Sequence, residues 1–269
     1  MDVLKTALLQ IRVKSDKKEN LLKAEKMIKE AAENGARLII LPEMFNTPYE
    51  SSNFPVYAEE YPGETNNMLS RLSKELGVFI AGGSIPEREG DKVYNTAYVY
   101  SDLGKVVAKH RKAHLFDIDV EGGITFKESE TLTAGDSSTI FTIDGMKVGV
   151  IICYDIRFPE FSRRLSLDGA EAIIVPAAFN MTTGPAHWHT TARARALDNQ
   201  VYMLMCSPAR DVISSYVAYG HSIVTNPWGC IVGQCGTDES ILYADLDRNH
   251  VRGIREQLPL LKHRRPELY

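Results

Sequence analysis

The stretch GVIICYDIRFPE, residues 149–160, decides how the rest of the chain is read. Val148, Val150, Ile151 and Ile152 run without polar alternation into Cys153, after which the chain turns polar through Tyr154, Asp155 and Arg157. A short apolar run of this kind reads as a strand buried on both faces, and the following Phe158-Pro159-Glu160 can open a helix. Cys153 then stands at the carboxyl end of a strand, where α/β sheets place their ligand crevice. A thiol on a tight strand-to-helix connection is presented to a substrate, with the next backbone N–H, that of Tyr154, aimed at the same spot. The competing reading is a buried structural cysteine, free Cys being among the most buried residue types.

Other strands end in the same way. Leu38–Leu41 form a buried strand that stops at Pro42-Glu43, so a carboxylate leaves one strand end as the thiol leaves another. If the two strands are parallel neighbours, their ends share one crevice, and burial there raises the Glu43 pKa toward the range useful for a general base. Glu43 alone is otherwise a solvated turn residue. Lys112 belongs to the basic run Lys109–Lys112, which alone reads as a solvated edge. An ammonium near a thiol lowers its pKa and can hold a developing oxyanion. The chain has seven histidines, but none is expected to converge on Cys153. His187 and His189 diverge on a helix, and His110, His114, His250 and His263 sit in charged or terminal surroundings.

Between these landmarks the order is regular. Residues 3–11 read as a strand. In DKKENLLKAEKMIKEAAENG, Leu21, Ala24, Ile28 and Ala31 share a helical face before an Asn34-Gly35 stop. A second helix spans Glu64–Leu76, with a strand over Val78–Ala81 and a hairpin of Val93–Tyr100 and Lys105–Lys109 around SDLG. GGITFKESETLTAGD, residues 122–136, is a long polar loop and for that reason a functional candidate. Residues 138–152 form a hairpin turning at Asp144-Gly145. Beyond Cys153 come a helix over Pro159–Asp168, a strand over Ile173–Val175, a helix from Trp188 to Leu197, and strands near 201–206, 221–225, 230–234 and 241–244. Asp247 caps a last helix, and the tail LPLLKHRRPELY, residues 258–269, is too apolar to hang free. Helices alternate with strands, which reads as a layered α/β protein, and without repeat or linker the 269 residues read as one domain.

Composition bounds the function classes. With 31 Lys and Arg against 35 Asp and Glu, the net charge of −4 gives no electrostatic reason for nucleic acid or an anionic membrane as partner. MDVLKTALLQIRVK carries Asp2, Lys5 and Arg12 instead of the apolar core of a signal peptide, so a cytoplasmic location is expected. Cys153, Cys206, Cys230 and Cys235 are too irregularly spaced for a disulfide framework and include no zinc-type pair, so free thiols and no metal are expected.

Taken together, LIILPEMF (38–45), KHRKAHLFDID (109–119) and GVIICYDIRFPE (149–160) resemble, in order, the three catalytic blocks of the nitrilase, or carbon-nitrogen hydrolase, superfamily. PAAFNMTTGPAHW (176–188) and NPWG (226–229) are most similar to its ω-amidase branch, from which Glu121 departs where a proline is expected. The resemblance implies a four-layer α-β-β-α sandwich that dimerises, with the tail holding partner to partner. It implies a triad of Glu43, Lys112 and Cys153, with Glu128 of TFKESE as an additional active-site glutamate that positions Lys112 or water. Glu43 draws the proton from Cys153, the thiolate attacks an amide carbon, and Lys112 with the Tyr154 N–H holds the oxyanion. Ammonia leaves, water hydrolyses the thioester, and no cofactor takes part. Tyr154-Asp155 resemble amide-cleaving members, and the implied substrates are small ω-amides of 2-oxo dicarboxylic acids such as 2-oxoglutaramate and 2-oxosuccinamate. Deaminated glutathione and N-carbamoyl amino acids are the rival substrates. Tyr49, Phe116, Phe179, Met181 and Thr182 are the expected pocket wall. Outside enzymology, an inactive scaffold relative predicts a missing triad member, and none is missing. A thiol redox sensor predicts a resolving cysteine near Cys153, which no C-x-x-C spacing supplies.

Overall fold

The structure, a computed structural model, describes residues 2–268. Strand β1 (Val3–Gln10) leads to helix α1 (Lys17–Glu33), whose cap residue Asp16 accepts the N–H groups of Lys18 and Glu19. Strand β2 (Leu38–Ile40), a short helix α2 (Phe54–Tyr57) and the two-residue β3 (Glu59–Glu60) follow. Helix α3 (Glu64–Leu76) ends where Gly77 takes a left-handed φ of 65°. Strands β4 (Phe79–Ala81), β5 (Ile85–Glu89), β6 (Lys92–Tyr100) and β7 (Val106–Arg111) come next, then a ribbon of β8 (Asp117–Asp119) and β9 (Thr125–Lys127). The hairpin of β10 (Thr139–Ile143) and β11 (Met146–Val150) turns on Asp144 and Gly145, at φ 46° and 84°, as a two-residue turn with both centres left-handed requires. Helix α4 (Pro159–Leu167), β12 (Ala172–Pro176), α5 (Gly184–Asn199), β13 (Tyr202–Cys206), β14 (Ile223–Thr225), β15 (Ile231–Gln234), β16 (Ser240–Asp247) and α6 (Arg248–Gln257) complete the order.

Apart from the β8-β9 ribbon, two sheets carry these strands. The first has the order β16-β1-β2-β4-β6-β5-β3, with β7 also on β6, and the second β10-β11-β12-β13-β14-β15. Alternation along the central strands explains the layering. Leu4 and Leu8 of β1, Leu38 and Ile40 of β2, Phe79 and Ala81 of β4, and Ala97 and Val99 of β6 face the second sheet and join its Val148, Val150, Ile174 and Leu204 in one core. Their neighbours Ala7, Leu9, Ile39, Ile80 and Tyr98 face the other way, onto Leu21, Ala24 and Ile28 of α1 and Leu69 and Leu72 of α3. Leu165 of α4 with Trp188, Ala192 and Ala196 of α5 covers the far side of the second sheet, which gives the α-β-β-α sandwich. The Cys206 thiol, on β13 of the second sheet, lies 3.4 Å from the carbonyl oxygens of Leu9 and Ile40, on two strands of the first.

Four sequence expectations need correction. The strands that deliver Glu43 and Cys153 are not parallel neighbours: β2 belongs to the first sheet and β11 to the second, and the residues meet because the sheets face each other. Residues 122–136 are not a structureless loop, since β9 and a single 3-10 turn over Glu128–Glu130 lie within them. Helix α5 begins at Gly184 rather than Trp188, with Pro185 in its first turn, where a missing N–H costs nothing. Strands β3 and β5 and helix α2 were not expected at all; β5 carries a proline, Pro86, which masks its strand character. Of the tail, Leu258–Leu268 is described and Tyr269 lies outside the described residues.

Candidate active site

Glu43 leaves β2 two residues beyond Leu41 through Pro42 and is fully buried. Its Oε1 accepts from the Lys112 ammonium (3.0 Å) and the Asn95 side-chain amide (2.8 Å), and its Oε2 from the Ala178 N–H (2.9 Å). Lys112 arrives by the period-two alternation of β7: Ala108, His110 and Lys112 point inward, while Lys109 and Arg111 point outward and pair with Glu87. The basic run is thus two runs interleaved, and its inward member is fully buried. Glu128, in the 3-10 turn, accepts from Lys112 at 2.8 Å and from the Phe116 N–H at 2.8 Å. The Tyr49 hydroxyl stands between the two carboxylates, 2.7 Å from Glu128 and 3.1 Å from Glu43.

Cys153 follows Ile152 with a φ of 45°, a left-handed conformation that costs a non-glycine residue energy and holds the side chain off the strand end. Its thiol lies near the Glu43 carboxylate and the Ala178 N–H, close enough for each to bias its ionisation. Tyr154 is the second residue of the 3-10 turn Cys153–Arg157, so its backbone N–H has no carbonyl earlier in the turn to bond.

Burial and neighbours set the charges. Burial raises the Glu43 pKa, with Lys112 opposing the rise and Glu128 adding to it. Burial and the negative charge of Glu43 push the Cys153 thiol well above its ordinary value, with Lys112 opposing. Burial works against the Lys112 charge, but Glu128 and Glu43 outweigh it and the pKa is raised. The Tyr49 hydroxyl is pushed well up, by burial and then by Glu128. The site therefore holds an ammonium between two carboxylates, beside a thiol whose proton is held on by burial and the Glu43 charge.

A cavity of about 370 Å³ opens onto this cluster, with Glu43, Tyr49, Ala178 and Tyr216 in its wall and Lys14 and Asp211 paired at 2.9 Å across another part. Of the expected pocket residues, only Tyr49 lines it. Phe116 is buried against Phe126 and Tyr154, and Phe179 packs edge-on against Trp188 in the core. Met181 is 42% exposed, and Thr182 lies against Gly123 on the turn before α5. His110 and His114 reach the neighbourhood of Cys153 without bonding its thiol: both bond Asp155, two residues beyond Cys153, through Nε2 at 3.2 Å and Nδ1 at 2.7 Å. Asp155 is itself buried.

Sequence reasoning missed Asn95, Tyr216 and Arg157. Asn95 carried a signal, an amide within the otherwise apolar VYNTAYVY of β6. Tyr216, 4.6 Å from the Tyr49 ring, carried none. The Arg157 guanidinium lies 4.6 Å over the Phe179 ring and bonds His187, and its buried Nε has no partner among the described residues.

Comparison with known proteins agrees with this geometry. The carbon-nitrogen hydrolase family model matches residues 5–256. The chain is 51% identical to the omega-amidase NIT2 of Xenopus tropicalis over 269 residues, all of this chain and 98% of the relative. It superposes on the crystal structure of Saccharomyces cerevisiae Nit3, a member of branch 10 of the nitrilase superfamily, with a TM-score of 0.91, 43% identity and coverage of 98% and 97% of the two chains. An amidase of Nesterenkonia sp. AN1, solved with the acetamide moiety of fluoroacetamide added covalently at its active site cysteine, matches at a TM-score of 0.80 with 25% identity over 98% and 95% of the chains. The chain belongs to the carbon-nitrogen hydrolase family and is a hydrolase of carbon-nitrogen bonds other than peptide bonds.

Proposed function

We propose that the protein is a cysteine-dependent ω-amidase that releases ammonia from small amides bearing a distant carboxylate, 2-oxoglutaramate and 2-oxosuccinamate being the preferred substrates. The observation that carries the proposal is the buried Glu43 carboxylate, which accepts from the Lys112 ammonium at 3.0 Å beside the Cys153 thiol, at the wall of a small cavity. Glu43 takes the thiol proton as Sγ attacks the amide carbon, and the carbonyl electron pair becomes an oxyanion held by Lys112 and the Tyr154 N–H. When the tetrahedral species collapses, Glu43 returns the proton to the leaving nitrogen, ammonia departs, and a thioester remains. Glu43 then deprotonates a water, which attacks the thioester carbon. Collapse of this second oxyanion expels the thiolate, the proton goes back to sulfur, and the acid is released. Glu128 and Tyr49 hold Lys112 in place. Arg157 is the cation we assign to the remote carboxylate, its planar fork held over the Phe179 ring at 4.6 Å and bonded to His187.

The relative's name supports the substrate class, and the cavity volume suits a small amide. The proposal extends to a cytoplasmic homodimer of single-domain chains, in which the half-buried Leu260 and Leu261 of the tail lie against the partner. Ending the chain after Gln257 then leaves a monomer in sedimentation, and an unchanged dimer would remove the tail from the interface. Among the described residues no helix is long and apolar enough to cross a membrane.

The test is ammonia release from 2-oxoglutaramate, 2-oxosuccinamate, deaminated glutathione, an N-carbamoyl amino acid and an aliphatic nitrile. The two 2-oxo amides are expected to be turned over fastest, and the folded Cys153→Ala variant is expected to release none. Preference for deaminated glutathione or the N-carbamoyl compound would reassign the substrate, and turnover by Cys153→Ala would end the mechanism.

A further inference from the structure

Asp155 holds together two pieces of chain that belong to different sheets. Its Oδ1 accepts from the backbone N–H and the Nδ1 of His114 (2.9 and 2.7 Å), and its Oδ2 from the Ile152 N–H and the Nε2 of His110 (2.9 and 3.2 Å). An ionised carboxylate offers about four lone-pair sites, and all are engaged on a side chain with no solvent exposure. The partners are spaced regularly about the active-site cluster: His110 and His114 lie two residues before and after Lys112, and Ile152 and Asp155 bracket Cys153. The other ring nitrogen of His110 contacts the Thr139 hydroxyl at 3.2 Å, and the His114 ring stacks on Phe158 at 3.8 Å, so both imidazoles are fixed at their far sides as well.

We infer that Asp155 is the positioning residue that sets Cys153 against Lys112, tying the end of β7 to the left-handed turn after β11 through four hydrogen bonds to one carboxylate. The inference rests on the proposed Glu43-Lys112-Cys153 mechanism. A second link between the two segments runs through Thr139, on the strand paired with β11, whose hydroxyl contacts His110 and donates to the Lys109 carbonyl at 3.2 Å, but it holds β7 before Lys112 and does not reach the turn at Cys153. A carboxylate that engages four donors stays ionised, and Asp155 is held down at about 2 against its burial by its hydrogen bonds to His110 and His114.

The experiment compares wild type, Asp155→Asn, His114→Ala and Cys153→Ala for ammonia release and for alkylation of Cys153 by iodoacetamide, read by peptide mass spectrometry. The amide of Asp155→Asn has nearly the carboxylate's shape but turns a donor toward donors. Its kcat is expected to fall about 100-fold with KM within about threefold, the cost of a displaced reacting group, and Cys153 alkylation is expected to slow in parallel. His114→Ala, at a part-exposed side chain that unfolding is less apt to follow, is expected to show a smaller kcat loss with the same split. Full kcat in folded Asp155→Asn, or a loss carried by KM with alkylation unchanged, would overturn the inference. If Asp155→Asn does not fold, an unchanged kcat in His114→Ala would overturn it. Turnover by Cys153→Ala would instead overturn the mechanism beneath it.

Discussion

Cys153 is a poor nucleophile by itself. Burial and the adjacent Glu43 charge hold its proton on, so the proposed mechanism draws its reactivity from transfer to Glu43 within the encounter rather than from a standing thiolate. The consequence is a pH dependence of definite sign. Glu43 must be ionised to accept the proton, and its pKa is raised by burial. As pH falls through that raised value the base is lost, so kcat/KM should decline on an acid limb lying above the ordinary glutamate pKa of about 4.3. Rate profiles between pH 4 and 8 locate the limb. Glu43→Gln should lower kcat by about 10²- to 10⁴-fold, and a limb unchanged in that variant would assign it to another group. Arg157→Lys replaces a planar fork with a point charge, and KM for 2-oxoglutaramate should rise by about tenfold with kcat nearly kept; an unchanged KM would remove Arg157 from substrate binding. Glu43 and Cys153 stood out as candidates because each stands just past the end of an apolar run, whereas Lys112 read alone as a solvated edge and became a candidate through the resemblance to the family's blocks. Tyr216 did not stand out, because its place beside Tyr49 is created by a contact between residues 167 positions apart in the chain, and no local pattern records it.

Among the elements, β7 leads directly into Lys112, the cation of the proposed mechanism, and carries its own anchor. Its outward Lys109 and Arg111 grip Glu87 of β5 at 2.6 and 3.0 Å, while Tyr98 and Thr96 of β6 donate to the same carboxylate at 2.6 and 2.7 Å. These bonds outweigh burial and hold Glu87 down at about 2. A depressed carboxylate stabilises the fold above its unfolded pKa and loses that contribution as pH falls toward its folded pKa. Glu87→Gln should therefore be less stable than wild type at pH 7 by ~2–3 kcal/mol, and the difference should close between about pH 4.5 and 2. Denaturant unfolding at pH 7 and pH 3 measures it. The β6–β7 hairpin and its SDLG turn were readable from alternation and turn chemistry. The segment carrying Glu128 was not, because β8 and β9 have three residues each, too few for a period to register, and the glutamate is fixed by distant partners, Lys112 and Tyr49.

In the molecule as a whole, the active site is a product of two sheets packing face to face. The apolar runs announced buried strands, and their alternation with helices announced the α/β class, but a run buried on both faces says nothing about which sheet it enters. That is why Glu43 and Cys153 were expected on neighbouring strands. The difference has a mechanical consequence. Ile40 points between the sheets and Ile39 points at the helices, both fully buried. Each Ile→Ala change should cost ~2–5 kcal/mol of stability. Only Ile40→Ala, beneath Glu43 and against the second sheet, should also lower kcat, and equal activity in the two variants would separate sheet packing from site geometry. The most direct test of the mechanism is mass spectrometry of enzyme quenched during turnover of 2-oxoglutaramate. The mechanism requires an acyl adduct equal to the substrate less ammonia, on the peptide containing Cys153; turnover with that peptide unmodified, or with the adduct on another residue, would contradict it.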